Sequence, residues 1–169
     1  MRRIKKIIFI LFFVLVPIIV VWGYSPEPKQ FVINQTFDTY SNPFFNYEIT
    51  KYPSNVEIIS ESKGQKLTIG FVTDPWNLNF GILYPGSYEK RHLSISNNEN
   101  NKVRVNFKVY GTVKPLISFN KNDFILLPKE TVYIDIFLNT TDKTIPGNYT
   151  GEIDVKVKKL RAESLNWIL

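Results

Sequence analysis

The stretch Ile145 to Val157, IPGNYTGEIDVKV, decides how the rest of the chain is read. A Pro146-Gly147 turn leads into Tyr149, Gly151, Ile153, Val155 and Val157 at every second position, with Thr150, Glu152, Asp154 and Lys156 between them. An apolar stripe of period two belongs to a strand that buries one face. The same stretch holds Asn148-Tyr149-Thr150, an acceptor pattern for an N-linked sugar. Asn148 precedes the apolar part of the stripe, so packing and a sugar do not compete there.

Outward from this strand the same period recurs. TVYIDIFLN puts Val132, Ile134, Ile136 and Leu138 on one face, and ISF and FILLP read as short strands. In RHLSISNNENNKVRVNFKVYG, Leu93 and Ile95 alternate before a polar loop. Val103, Val105, Phe107 and Val109 alternate after it, with Arg104, Asn106 and Lys108 outward. NLNFGILYPG sets Leu78, Phe80 and Ile82 on one face. Val56–Ser60 and Leu67–Val72 flank the turn ESKGQK and read as a hairpin. Residues 31–60 read as one or two short strands with turns at Asn42-Pro43 and Pro53-Ser54. Seven or eight short strands with no helix before the tail predict an all-β fold, an antiparallel β-sandwich.

Composition narrows the function classes. Arg2, Arg3, Lys5 and Lys6 hold four of the 21 basic residues and precede every acid, which leaves 17 basic against 15 acidic residues. That near-neutral balance is no footprint for nucleic acid. There is no Cys, hence no disulfide frame, no thiolate nucleophile and no zinc–thiolate site. A single domain of this length must be held by its core alone.

MRRIKK is followed by Ile7 to Trp22, IIFILFFVLVPIIVVW, an uncharged apolar run. Cations ahead of such a run mark a membrane signal. Its length falls between a cleaved signal, about 7–15 apolar residues, and a spanning helix of about 20. Trp22 and Tyr24 suit an outer membrane interface, whereas Val21-Trp22-Gly23 passes as a cleavage site. An uncleaved N-terminal transmembrane helix is favoured over a signal helix cleaved near Gly23. The chain then divides into a signal anchor at 1–23, a linker and aromatic-rich strand region packing on the sandwich at 24–66, the sandwich at 67–159, and a tail at 160–169 able to form a short helix. The expected location is the cell membrane, single-pass, with the C-terminal domain extracytoplasmic; the alternative is secretion.

The order of residues also resembles a family. LNFGILYPGS at 78–87, LSISNN at 93–98, FILLP at 124–128, VYIDIFL at 132–138 and GNYTGEIDV at 147–155 are similar to the PapD-like branch of immunoglobulin-like domains, which includes major-sperm-protein and ASH-type modules. The match covers about half the chain and rests on turn glycines and core positions. The resemblance implies an immunoglobulin-like sandwich that binds proteins, and it carries no activity with it. Tyr149 is expected to bury its ring and tie its hydroxyl to backbone at a sandwich corner, with Gly147 and Gly151 permitting tight turns and close strand approach. Lysine, isoleucine and asparagine in abundance, without cysteine, suit an archaeal envelope protein.

Few residues offer chemistry. His92 is the only histidine, and its parity sets it on the polar face opposite Leu93 and Ile95. Asp135 and Asp154 read as outward strand positions, and the scattered aspartates have no ligand spacing. Neither a phosphate-cradling Gly loop nor a zinc-protease pattern occurs, so no catalytic residue, metal or cofactor is expected. Candidate N-glycosylation sites are Asn34, Asn139 and Asn148. The aromatics Phe44, Phe45, Tyr47 and Tyr52, with Trp167 of the tail, form the candidate interaction patch; a second apolar layer on the sandwich is the alternative reading. The function expected is non-enzymatic: a membrane-anchored extracytoplasmic immunoglobulin-like module with a protein-binding or structural role in the cell envelope. A secreted carbohydrate-binding or chaperone-like domain is the alternative.

Overall fold

The computed structural model describes residues 28–60 and 78–161. Ile7–Trp22, the strand expected at Leu67–Val72 and the tail with Trp167 lie outside them. Among the described residues no helix is long and apolar enough to cross a membrane. They form β1 (Thr36–Ser41), β2 (Phe45–Ile58), β3 (Leu78–Leu83), β4 (Tyr88–Ser96), β5 (Val103–Gly111), β6 (Ile117–Phe119), β7 (Phe124–Leu126), β8 (Thr131–Asn139) and β9 (Gly147–Leu160), with one 3₁₀ turn at Lys114–Leu116.

The strands make two sheets. The larger runs β1-β2-β9-β5-β7, and β3 also pairs with β2; the smaller is β4-β8-β6. Every pairing is antiparallel except β2–β3, which is parallel. The stretch that begins with Pro146-Gly147 is therefore the spine of the larger sheet. β9 pairs with β2 without a break from Phe45↔Leu160 to Ile58↔Gly147, and with β5 on its other edge.

One core lies between the sheets, as in a β-sandwich. Tyr52, Val56, Val103, Val105, Phe107, Phe124, Leu126, Ile153 and Val155 enter it from the larger sheet, and Ile134, Ile136 and Leu138 from the smaller. Leu93, Ile95, Ile117, Phe119 and Val132 pack against them. Each fully buried side chain of this size contributes about 1.5–3 kcal/mol, which is how a chain without disulfides holds together. The expected stripes on β4, β5, β8 and β9 all face this core.

Local signals hold where the chemistry is short-range. The Asn42 side chain accepts from the backbone N–H groups of Phe44 and Phe45 at 2.9 and 2.7 Å, which builds the turn expected at Asn42-Pro43. Gly151 faces Gly111 in register, and a Cβ at Gly151 would collide with the Tyr110 carbonyl oxygen. The strands touch there as expected.

Three expectations are corrected. The turn at Pro53-Ser54 does not form, because β2 continues through it. Pro53 lies between Lys51, where β1 stops pairing, and Ser54, where β3 starts. A residue with no ladder partner on that edge tolerates a missing N–H. Val56–Ile58 is thus the end of a long strand. Ile82 does not share the face of Leu78 and Phe80: the register slips between Asn55↔Asn79 and Glu57↔Ile82, and Gly81 takes φ +74°. That bulge reverses the parity and leaves Ile82 exposed. Finally, the aromatic-rich region does not simply pack on the sandwich. β2 is a two-sided strand of the larger sheet, as integral as β9.

Candidate interaction surface

The unbroken β2–β9 register assigns every side chain to a face. Tyr52, Val56 and Ile58 point into the core. Phe45, Tyr47, Ile49 and Lys51 point the other way, together with Glu152, Asp154, Lys156, Lys158 and Leu160 from β9 and Arg104 and Lys108 from β5. This outer face of the larger sheet is the candidate surface.

Its lower part is aromatic and cationic. Phe45, Tyr47 and Leu160 form a second, smaller buried cluster. Tyr40 of β1 stacks on Tyr47 at 4.5 Å between ring centroids. Lys156 sits 4.5 Å over the Tyr47 ring, and Lys158 3.6 Å over Phe45. Such a cation–ring contact contributes about 0.5–1 kcal/mol at partly exposed sites. Burial lowers both lysines from the usual lysine range and raises Tyr47, helped by its neighbour Tyr40. Lysine stems thus cover the rings, and Phe37, Tyr40 and Phe44 remain exposed.

Its upper part is acidic and covered. Glu152 is 1% exposed, and its Oε2 accepts from the Val32 N–H at 2.8 Å. Residues 31–33 therefore cross the face as a strap ahead of β1. Beneath it lies a cleft of about 230 Å³ lined by Phe31, Val32, Ile33, Pro53, Asn55 and Thr150, among others. Asp154 stands two residues further along β9 on the same face. Burial first, then the hydrogen bond and charge of Glu152, push its carboxyl up to about 7, against the pull of Lys51.

The candidate patch is thus divided. Phe44 is exposed at the turn into β2, Phe45 and Tyr47 are buried on the outer face, and Tyr52 is buried in the core. Only Phe45, Tyr47 and the adjoining Phe44 come together, with ring centroids 6.5 Å apart for Phe44–Phe45 and 6.1 Å for Phe45–Tyr47. The sequence reading missed the Glu152–Asp154 pair. Its signal was visible, two acids at i and i+2 on the outward stripe of a strand. What holds Glu152 is a segment more than a hundred residues away in the chain.

Asn34, Asn139 and Asn148 are all exposed. Asn139 donates to the Ser118 hydroxyl at 3.2 Å. His92 is on the polar face of the smaller sheet, with Nδ1 2.6 Å from Asp135 Oδ1, while Lys90 lies 2.8 Å from the other carboxylate oxygen. The Lys90 contact, with His92 assisting, holds Asp135 below the ordinary aspartate range.

The sheets also have edges. Among the described residues β4 pairs only with β8, and β1 only with β2. β4 is nine residues long, alternate residues turn their backbone groups to its open side, and the charged run Glu89-Lys90-Arg91 lies inside it. Scanned against family models, the chain matches none, and a search of curated proteins finds no match.

Proposed function

We propose that the chain is a membrane-anchored, extracytoplasmic immunoglobulin-like module of the PapD-like type that binds other envelope proteins and performs no catalysis. The observation that carries this reading is the open edge of β4. Along its nine residues, every second one turns its N–H and C=O to the side that has no partner strand among the described residues, a template for an added strand. Charges along that edge discourage indiscriminate pairing. The basic start and apolar run at 1–22 supply the anchor, and the exposed asparagines 34, 139 and 148 accept sugars if the host glycosylates. A secreted chaperone-like domain is the second reading, since it uses the same edge and differs in cleavage near Gly23. A sugar platform draws no support from Phe45, Tyr47 and Tyr52, which are buried.

The test is fractionation and intact mass of the native chain, combined with photo-crosslinkers at Ser94 on β4 and at Thr39 as a control. A membrane-bound chain that retains residues 1–23 and crosslinks one envelope protein from Ser94 alone supports the proposal. A soluble chain beginning near Tyr24 moves the reading to the secreted domain. A cytoplasmic chain, or equal crosslinking at both positions, overturns it.

A further inference from the structure

We propose that Glu152 and Asp154 form a proton-binding site: one proton shared between Asp154 Oδ1 and Glu152 Oε1 pins the strap of residues 31–33 to the outer face of the larger sheet, and its loss releases the strap.

Two buried oxygens carry unmet hydrogen bonds. Glu152 uses Oε2 to hold the Val32 N–H. Its Oε1 and the Asp154 Oδ1 are both shut away from solvent and have no partner among the described residues. Buried acceptors are almost always paired, and leaving one unpaired is costly. Spacing of i, i+2 on one strand face sets the two carboxyls side by side, about 6.6 Å apart along the backbone. Two carboxylates offer only acceptors. A single proton turns one into a donor and satisfies both oxygens at once, and it removes the repulsion between like charges in a covered site.

The surroundings fit a held proton. Lys51 of β2 is paired with Asp38 of β1 at 2.7 Å, so its charge is already engaged. Lys108 and Tyr110 of β5 stand opposite Asp154 and Glu152 in register, and Lys156 follows on β9, drawn over the Tyr40 and Tyr47 rings. Burial and Glu152 outweigh the pull of Lys51 and push Asp154 up to about 7.

The strap depends on this site. Ile33 is 81% exposed, and a cleft underlies residues 31–33, so apolar packing there is thin. Phe31 lies against Gly111, and the Val32–Glu152 hydrogen bond is the polar tie. With the proton gone, two adjacent carboxylates draw in water, and the tie competes with hydration. Asp154 is raised in the folded state above its unfolded value of about 3.9. The stabilisation is therefore complete below about pH 4 and is lost as pH rises through about 7. The strap is closed in mild acid and released in mild base. The site works in the same way whether or not the chain is anchored.

The test uses the full chain in detergent micelles, with carboxyl-carbon NMR titration and hydrogen exchange of the Val32 amide corrected for intrinsic rates. Asp154 is expected to titrate near neutrality. Val32 protection is expected to fall roughly tenfold or more between about pH 6 and pH 8. Asp154→Asn supplies a permanent donor to Glu152 Oε1, so Val32 protection should stay high across that range. A titration of Asp154 in the ordinary carboxylate range, as a buried water between the oxygens would give, overturns the proposal. So does Val32 protection that does not change with pH in the native chain, or that changes equally in Asp154→Asn. The native titration and exchange decide the matter even if the variant does not fold.

Discussion

The Tyr149 hydroxyl donates a 2.7 Å hydrogen bond to the carbonyl of Ile145, four residues back in the chain. It ties the Pro146-Gly147 turn to the start of β9, while the ring packs against the core. Tyr149→Phe keeps the ring and removes the tie. The expected loss is about 0.5–1.5 kcal/mol, seen as a lower urea midpoint with an unchanged slope. A change in slope would mean that the compactness of the denatured or the native state had changed, or that unfolding was no longer two-state.

Asn97 is the buried polar hub at the end of β4. Its side-chain amide donates to the carbonyls of Asn101 and Leu127 at 2.9 Å each and of Leu126 at 3.2 Å, and its oxygen accepts from the Glu99 N–H at 3.1 Å. One side chain thereby ties the smaller sheet to β7 of the larger. Asn97→Leu is expected to cost roughly 1–3 kcal/mol, because the carbonyls keep their burial and lose their donor. Asn97→Asp should be as damaging at neutral pH and partly recover in acid, where the protonated carboxyl can donate. Equal stability of the two variants at every pH would show that volume, not hydrogen bonding, decides this site.

Gly111 and Gly151 meet across the β5–β9 ladder. A Cβ on Gly151 would meet the Tyr110 carbonyl oxygen and a Val113 methyl, 2.7 Å away in the latter case. Gly151→Ala should destabilise by about 1–3 kcal/mol through overpacking. Shortening the neighbour in Gly151→Ala/Val113→Ala should not restore stability, since the backbone oxygen stays in place. Thermal unfolding of the single and double variants distinguishes these outcomes, and a full rescue would locate the clash in the side chain instead.

Arg104 grips Asp123 with two bonds, Nε to Oδ1 at 2.7 Å and a terminal nitrogen to Oδ2 at 2.6 Å. The hydrogen bond from Arg104 holds the Asp123 carboxyl below its usual range. A lowered folded-state value means that the contribution is present above the unfolded value of about 3.9 and is lost as pH falls through the folded one. Both groups are largely solvated, so Asp123→Asn is expected to cost no more than about 1 kcal/mol at neutral pH. The cost should shrink in high salt and vanish in strong acid. Asparagine is the apt replacement because Asp123 has φ +55°, which Asn tolerates. A loss that persists in acid would point to the backbone.

The core faces of β5, β8 and β9 were legible because side-chain alternation is a property of the strand itself and needs no partner. The same holds for the Asn42 turn, for the Tyr149 tie and for Gly151, whereas its partner Gly111 was not singled out. The buried face of β4 was legible for Leu93 and Ile95. The candidate site was legible only in pieces: Phe44, Phe45 and Tyr47 were singled out with Tyr52, although Tyr52 lies on the opposite side of the sheet from Phe45 and Tyr47. A supposed break at Pro53 concealed the fact that one parity runs from Phe45 to Ile58.

By itself, then, the sequence determined an all-β chain with its apolar stripes, a basic and apolar start, and a near-neutral charge balance over the remaining residues, since each is local composition or local period. Only the tertiary structure decided that β2 runs straight through Pro53, because a proline is tolerated where the neighbour strand changes from β1 to β3. It alone decided that Ile82 turns outward, because Gly81 and a bulge reverse the register. And it alone decided that Glu152, an acid on an outward stripe, is buried, because the strap of residues 31–33 hydrogen-bonds it through the Val32 N–H. Burial depends on what lies opposite, and no local pattern records that.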